Sequence, residues 1–376
     1  MNKIKLCYLV SSLCNEGPVN VIYNILTEID YNQFDVSIVT FIPEKENSRL
    51  KDFKAFPIKI YQLCPEKKRN IFFTYFSLRR LFAKINPNVI HGHCSRPLWQ
   101  MCFLPRKYKR VYTIHIYPGV QNIAISGWLK GRIIIALDNY FTAKCDMPIC
   151  CSESISETYR LDKGIEYMAI PNGTSYKVWD YDEDVKNCLR KELGLSSDVR
   201  YFISIGRFSQ EKHPGSLINI FNSIEDRNVG LVMLGDGPLW DEMQSLRENE
   251  NIIMPGFTTR VADYLKACDY YISASEIEGL ANTLLESMSV GLPVMLSDIP
   301  SHREVMNKVP YQENVGYIID PSNKVDVLQK IEKIQLIDKN RSRMVLQKIF
   351  QDNYSAQIMT EKYECVYRKI ANNDKQ

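Results

Sequence analysis

Short apolar runs alternate with amphipathic stretches along the whole chain. In the first half, five apolar runs predict strands: IKLCYLVSS (4–12), FDVSIVTF (34–41), NVIHGH (88–93), RVYTIH (110–115) and MPICCSES (147–154). Between them, stretches such as VNVIYNILTEI (19–29) and TYFSLRRLFAKI (74–85) place apolar residues three to four positions apart, which predicts helices. Strands that alternate with helices indicate parallel, doubly wound sheets.

The second half repeats this scheme. Its strands are predicted at RYFISIGRF (200–208), VGLVMLGDG (229–237), NIIMPGF (251–257), DYYISAS (269–275) and PVMLSDI (293–299). A polar stretch at 176–198 separates the two sets, so we predict Rossmann-like domains at 1–175 and 176–355. Because open α/β sheets bind ligands at the carboxyl ends of their strands, two facing sheets imply a central cleft.

Composition and length fit a soluble α/β protein. The window nearest to a membrane span in length and apolar content, GWLKGRIIIALDNYF (127–141), contains three charged residues. It predicts a buried helix, with an interfacial helix as the alternative. Eleven cysteines form no CxxC pair, and the N-terminal apolar run lacks a signal-peptide pattern. These features predict reduced thiols in a cytoplasmic protein.

Charge is distributed unevenly along the chain. Residues 1–180 hold 24 lysines and arginines against 15 acidic residues, whereas residues 181–376 hold 23 against 29. The basic clusters KKR (67–69) and RKYKR (106–110) indicate either a solvated face or attraction to an anionic membrane at its inner surface. Nucleic acid is disfavoured, because these clusters lack aromatic-rich binding motifs.

A candidate phosphate site follows the first strand of the second domain. In SIGRFSQEKH (204–213), Arg207 and Lys212 follow Gly206 on one loop that opens a helix. A guanidinium can bind phosphate oxygens with two parallel hydrogen bonds, and an ammonium adds a compact second charge. Two solvated surface charges are the alternative interpretation.

Two acids bracket a predicted helix start in EIEGLANTLLE (276–286). Glu278 precedes the amides of Gly279, Leu280 and Ala281, which would point out of the helix and could bind a phosphate. Glu286 lies on the order of 10 Å further along the axis. A glycosidase acid/base pair spans about 5–9.5 Å, so this distance disfavours it without excluding it. A sugar nucleotide fits better, with sugar at one acid and ribose at the other.

These motifs together resemble the family 4 retaining glycosyltransferases with the GT-B fold. EGLANTLLE resembles the family's E-x7-E motif and SIGRFSQEKH its donor loop. MLGDGPL (233–239), MPGF (254–257) and IPNGT (170–174) are similar to three further family turns. Residues 353–370 have the amphipathic pattern of a helix. In this family a C-terminal helix commonly returns to the first domain, so we predict that 356–376 do so, with a plain surface helix as the alternative.

The resemblance implies roles in the second domain. Arg207 and Lys212 would stabilise the departing diphosphate beside Gly206. Glu278 would bind hydroxyls of the transferred sugar, with Glu286 on the ribose and the backbone at Phe257 near the base.

In the first domain the resemblance implies that His115 lies near the transferred sugar. Gly17 would face the donor phosphate, although Glu16 occupies the place of the family's first glycine. His91 and His93 alternate on one side of a strand, and with no third ligand evident we predict no metal.

The sequence therefore predicts a retaining, metal-independent glycosyltransferase that needs no cofactor. It would transfer a sugar from a nucleotide diphosphate, with UDP expected, to a growing, lipid-linked glycan in surface polysaccharide biosynthesis. Two alternatives remain: a sugar-nucleotide epimerase of the same architecture, and a catalytically silent partner subunit.

Overall fold

The computed structural model of the chain describes residues 3–67, 69–119 and 127–372. Two compact units divide the chain: one comprises the residues up to Ser175 and from Ala356 onward, and the other is Tyr176–Ser355. The chain leaves and re-enters the first unit at adjacent points, because the Ala356 amide donates to the Thr174 carbonyl at 2.9 Å. No helix in the described ranges is long and apolar enough to cross a membrane.

The first unit is built on a parallel sheet. Its described strands are β1 Ile4–Val10, β2 Phe34–Thr40, β3 Lys59–Gln62, β4 Val89–His93, β5 Lys109–Ile114, β6 Met147–Cys150 and β7 Met168–Ala169. They lie in the order β3-β2-β1-β4-β5-β6-β7. From β1, the chain adds β2 and β3 on one side of the sheet and β4 to β7 on the other. Parallel sheets bind ligands at the carboxyl ends of the strands where the strand order changes side in this way, here between β1 and β4.

Helices cover both faces of this sheet. Before the second unit they are α1 Gly17–Glu28, α2 Leu50–Phe53, α3 Ile71–Ile85, α4 Ser95–Cys102, α5 Trp128–Thr142 and α6 Glu153–Lys163. Along β1, Cys7 and Leu9 pack with α3, α4, α5 and α6, whereas Leu6 and Tyr8 point to the other face and pack with α1. The sheet is thus buried on both faces, as the continuous apolar runs predict.

The second unit contains another parallel sheet. Its described strands are β8 Arg200–Ile205, β9 Val229–Leu234, β10 Ile252–Gly256, β11 Tyr270–Ser273, β12 Val294–Ser297 and β13 Gly316–Ile319, in the order β10-β9-β8-β11-β12-β13. Its helices are α7 Glu183–Leu193, α8 Pro214–Asn222, α9 Trp240–Leu246, α10 Val261–Ala267, α11 Asn282–Val290, α12 Pro300–Met306, α13 Lys324–Ile334 and α14 Lys339–Asn353. The predicted pair of doubly wound α/β sheets is therefore confirmed.

A buried carboxylate joins helices to the sheet in the second unit. Asp269, 5% exposed, accepts from Lys186 at 2.7 Å, from Arg190 at 2.7 Å and from Lys339 at 2.9 Å. It also accepts from the backbone amide of Tyr201 at 2.9 Å. Burial alone would raise the pKa of Asp269, but the three cations lower it to about 2.

The last helix, α15 Ala356–Asn372, belongs to the first unit. Its buried side chains pack with α1 and the central strands. Tyr367 forms a hydrogen bond of 3.1 Å with Tyr8 and one of 2.7 Å with His91 Nδ1, and Tyr363 lies 2.9 Å from Thr113 Oγ1. The C-terminal segment is therefore fastened to this sheet by polar as well as apolar contacts.

Candidate active site

The loop after β8 is fixed by the loop after β9. Phe208 donates its amide to the Asp236 carbonyl at 3.0 Å, and the Leu239 amide donates to the Phe208 carbonyl at 3.1 Å. Gly235 has a φ of 139°, and a Cβ there would lie 1.9 Å from the Gly206 carbonyl oxygen. The glycine is therefore required for the close approach that positions Arg207.

Lys212 and Glu278 contact each other directly. A 3₁₀ turn at Gln210–Lys212 presents the Lys212 ammonium to the Oε1 atom of Glu278. Ser275 donates its hydroxyl to the same oxygen at 2.9 Å. Lys212 is 27% exposed and Glu278 is 13% exposed, so both remain accessible to a ligand. Two residues expected on neighbouring parts of a donor thus form an ion pair with each other.

A depression lies beside this pair. It is lined by the carboxyl ends of β8 and β11, with Gly206, Arg207, Lys212 and Ser275 on its wall. Arg207 is exposed and lies two residues after the strand. Because both cations line one concavity at the carboxyl ends of parallel strands, the arrangement suits an anionic ligand.

The helix that carries the second acid begins later than the sequence pattern indicates. Ala281 is the N-cap of α11 and has extended backbone angles, so Gly279 and Leu280 precede the helix. The prediction that the Gly279–Ala281 amides form the helix start is wrong by about two residues. Leu280 is 4% exposed, and its side chain belongs to the core before the helix starts, which explains why it matched the helical apolar pattern. The first-turn amides that lack intrahelical partners belong to Asn282 and Thr283.

Both predicted acids nevertheless lie around the start of α11. Thr283 shares a 3.0 Å hydrogen bond with the buried Tyr271 hydroxyl. Burial raises the pKa of Tyr271, and the negative charges of Glu278 and Glu286 raise it further. Tyr271 therefore lies close enough to interact electrostatically with both carboxylates. The sugar and ribose contacts assigned to these acids remain predictions.

Serine and histidine residues that the sequence analysis missed form a chain of hydrogen bonds that positions Ser275 beside Glu278. Ser297 donates to the Ser275 carbonyl, and His302 Nδ1 lies 2.9 Å from the Ser297 carbonyl. Burial lowers the pKa of His302. Because a carbonyl oxygen can only accept, the Nδ1–H of His302 donates to it. The usable signal was positional, because Ser275 and Ser297 both lie near the carboxyl ends of predicted strands.

Aromatic rings border the loop after β10. Phe257 is 51% exposed and follows Gly256, whose φ is 85°. Trp240 packs 3.5 Å from the place of a Gly256 Cβ and stacks on Phe208 with centroids 5.4 Å apart. Trp240 was not predicted from the sequence. The contact between Phe257 and a base remains a prediction.

In the first unit, His115 is paired with His93. The register of β4 and β5 places His93 opposite Thr113, and His93 Nδ1 lies 2.8 Å from His115 Nε2. Burial lowers the pKa of His115 to about 3 and also lowers that of His93. His91 lies against His93 with ring centroids 4.3 Å apart, which confirms that the two side chains share one side of β4.

The histidines of β4 form hydrogen bonds with other side chains of the protein. No group of three or more metal-ligating side chains occurs in the part of the chain that the structure describes.

Gly17 is the first residue of α1, after an N-cap at Glu16 whose side chain does not cap the helix. A Cβ at Gly17 would meet no heavy atom within 4 Å. This glycine leaves open space rather than resolving a local clash.

Comparison with known families decides what these two units form. Residues 16–176 match the description "Glycosyltransferase Family 4", and residues 185–348 match "Glycosyl transferases group 1". The chain belongs to the family 4 glycosyltransferases. The family resemblance predicted from the sequence, and the glycosyltransferase activity it implies, are thus confirmed.

Characterised relatives cover most of this family 4 glycosyltransferase. The alpha-monoglucosyldiacylglycerol synthase of Streptococcus pneumoniae is 27% identical over 76% of this chain and 68% of its own. The UDP-Gal:alpha-D-GlcNAc-diphosphoundecaprenol alpha-1,3-galactosyltransferase of Escherichia coli is 23% identical over 85% and 84%. Anabaena HepE, solved with UDP and glucose, aligns with a TM-score of 0.77 at 17% identity over 96% and 99%. The structural similarity confirms the GT-B fold.

Proposed function

We propose that this glycosyltransferase transfers a sugar with retention of anomeric configuration from a UDP-sugar, and that Arg207, Lys212 and Glu278 carry the reaction. The observation that supports this most strongly is the Lys212–Glu278 pair beside the exposed Arg207. The Escherichia coli relative is named for a UDP-Gal donor, and HepE was solved with UDP. Both observations favour uridine as the nucleoside of the donor.

In the proposed mechanism, negative charge develops on the diphosphate as the bond to the sugar breaks. Arg207 and Lys212 donate hydrogen bonds to the diphosphate oxygens, and the Asn282 and Thr283 amides add their dipoles. Each hydrogen bond to a charged group contributes about 1.5–3 kcal/mol. Because these groups supply positive charge where it is needed, we propose that transfer requires no bound metal and no cofactor.

Glu278 is proposed to position the sugar rather than to attack it. Its carboxylate already accepts from Lys212 and Ser275, which lowers its nucleophilicity and leaves lone pairs for sugar hydroxyls. The acceptor hydroxyl would then attack on the face from which the diphosphate departs, and its proton would pass to the departing diphosphate oxygen. Retention would follow without a covalent enzyme intermediate.

The proposed acceptor is a hydroxyl of a growing, lipid-linked glycan in surface polysaccharide assembly at the cytoplasmic face of the membrane. The names of two relatives support it, since one acts on a diphosphoundecaprenol-linked sugar and the other synthesises a glucosyldiacylglycerol. Both imply acceptors anchored in lipid.

Transfer from a panel of nucleotide sugars to lipid-linked acceptors tests the assignment. We expect Arg207→Ala combined with Lys212→Ala to lower kcat about a hundredfold or more, because both lose contacts made to the departing diphosphate. Lys330→Ala, which removes a surface pair with Asp326, serves as the control. Undiminished transfer by the double variant would contradict the electrostatic role, and an inverted product would exclude retention. If the enzyme converts the donor alone to its epimer, it is an epimerase. If no donor is turned over, the chain is a catalytically silent subunit.

A further inference from the structure

Large apolar side chains lie exposed on the first turns of α3. Its buried residues Thr74, Leu78 and Phe82 recur every four positions, so the opposite side of the helix faces outward. There, Phe72 is 71% exposed and Phe76 is 62% exposed. Neighbouring exposed phenylalanines on a surface helix usually mark a contact with another protein or with a membrane.

Helix α5 presents a similar surface, and the prediction that it is buried is wrong. Trp128, Leu129, Ile133 and Tyr140 are between 51% and 65% exposed. The reason is Asp138, which faces inward and accepts hydrogen bonds from Trp99 Nε1 at 2.7 Å and from Ser95 at 2.9 Å. This buried polar anchor turns the apolar IIIAL run of the helix partly outward, as the interfacial alternative requires.

The end of α4 joins the two helices. Phe103, 63% exposed, has its ring 6.3 Å from Tyr75 of α3 and 5.4 Å from Phe141 of α5. The Tyr75 hydroxyl also donates to the Phe103 carbonyl at 3.2 Å. We call the exposed large apolar residues of these three helices the apolar face: Phe72, Phe73, Phe76, Phe103, Trp128, Leu129, Ile133 and Tyr140.

Basic residues predominate in the segment that carries most of the apolar face. Residues 67–137 contain thirteen lysines and arginines and no acidic residue. Several cations lie over its rings, with Arg132 5.2 Å above Trp128, Arg69 5.2 Å above Phe73 and Lys144 4.6 Å above Tyr140. Long basic side chains that flank aromatic rings can reach phosphate groups while the rings enter an apolar layer.

We propose that the apolar face docks the enzyme onto a bilayer that contains anionic phospholipid. Charge complementarity selects this occupant, because the segment has no carboxylates with which to neutralise its own cations. Aromatic and aliphatic side chains would enter the boundary between headgroups and acyl chains, and Arg79 and Arg80 would bind lipid phosphates. The proposal does not depend on the identity of donor or acceptor.

Vesicle partitioning of the full chain tests the apolar contribution. We expect binding to phosphatidylcholine vesicles that contain phosphatidylglycerol, and a loss of about tenfold or more for Phe72→Ser, Phe73→Ser and Phe76→Ser combined. The matched control is Leu336→Ser with Met344→Ser, since these residues are 86% and 66% exposed in the second unit. Unchanged thermal unfolding of both variants shows that partitioning, not folding, has been altered. Equal partitioning of the triple variant and the wild type would overturn the proposal.

The charge contribution is measured separately. Arg79→Gln and Arg80→Gln are expected to weaken partitioning about fivefold each, and added salt should weaken the wild type in the same direction. Lys348→Gln, at an exposed lysine of the second unit, is the control. Equal binding to vesicles of pure phosphatidylcholine would overturn the role of anionic lipid.

Fluorescence reports whether the face enters the bilayer. Trp128 emission should shift to shorter wavelength with anionic vesicles, and Trp128→Phe should remove the shift while partitioning persists. A concentration-dependent dimer of the wild type that the phenylalanine variants abolish, without any vesicle binding, would instead identify a second copy of the chain as the occupant.

Discussion

The hydrogen bond between the neutral rings of His93 and His115 determines which nitrogen of each ring carries the proton. His93 Nε2 is buried without a partner among the described residues. A buried N–H without an acceptor is rarer than an unpaired acceptor, so the proton of His93 belongs on Nδ1. His93 then donates to His115 Nε2, and the proton of His115 is on Nδ1.

This tautomer can be measured. In a chain labelled with ¹⁵N-histidine, we expect the His115 signal to show a protonated Nδ1 and an unprotonated Nε2 at neutral pH. His93→Asn keeps a donor near the same position, whereas His93→Leu removes it. We expect the leucine variant to lose about tenfold to a hundredfold in kcat, with much of the activity retained by the asparagine variant. A protonated His115 Nε2 in the wild type would refute the assignment.

Gly235 determines where Arg207 can lie. In Gly235→Ala, the added methyl would meet the Gly206 carbonyl, and the loop after β8 would have to move. We expect weaker UDP binding by calorimetry and a loss of about 1–3 kcal/mol in unfolding free energy. Gly215→Ala is the control, because its Cβ meets the flexible Met243 side chain at 3.4 Å. Equal UDP affinity of the Gly235 variant and the wild type would refute the link.

At the scale of elements, α15 closes a buried polar network. Tyr367→Phe would remove the hydroxyl that bonds both His91 and Tyr8. We expect a loss of about 1–3 kcal/mol in unfolding free energy, since both partners are buried and would be left unsatisfied. Tyr311→Phe, at a tyrosine that is 63% exposed, should be neutral by denaturant unfolding. Equal losses in the two variants would show that the network contributes nothing particular.

Elements were easier to predict than their ends and their outward faces. The strand before Arg207 and the strand before Glu278 followed from apolar runs, because buried parallel strands leave that signal. The start of α11 did not, because Leu280 is buried whether or not it is helical. The exposure of Trp128 could not be predicted either, because it depends on the hydrogen bonds that Asp138 accepts from α4. Such tertiary choices leave no local pattern.

At the scale of the whole molecule, Asp269 makes stability depend on pH. Its folded-state pKa of about 2 lies below the ordinary value of 3.8, so the carboxylate stabilises the fold above about pH 4. This contribution, about 2 kcal/mol, is lost as pH falls from about 4 through 2.

Acid titration of unfolding free energy checks this. Asp269→Asn should be less stable by about 3–5 kcal/mol at neutral pH, because the buried Lys186 and Arg190 and the partly exposed Lys339 lose their charged partner. The difference from the wild type should shrink between pH 4 and pH 2. A constant difference across that range would contradict the role of the carboxylate.

The hydrogen bond between Ala356 and Thr174 has a genetic consequence. Because the polypeptide departs and returns at neighbouring points, the whole of Tyr176–Ser355 can be exchanged for the corresponding segment of a relative through two cuts, with the ends already in place. Because the proposed donor-binding residues Arg207, Lys212 and Glu278 all lie inside this segment, we expect such an exchange to transfer the donor preference as one block. New glycan linkages could thus arise by shuffling rather than by gradual change within a pocket.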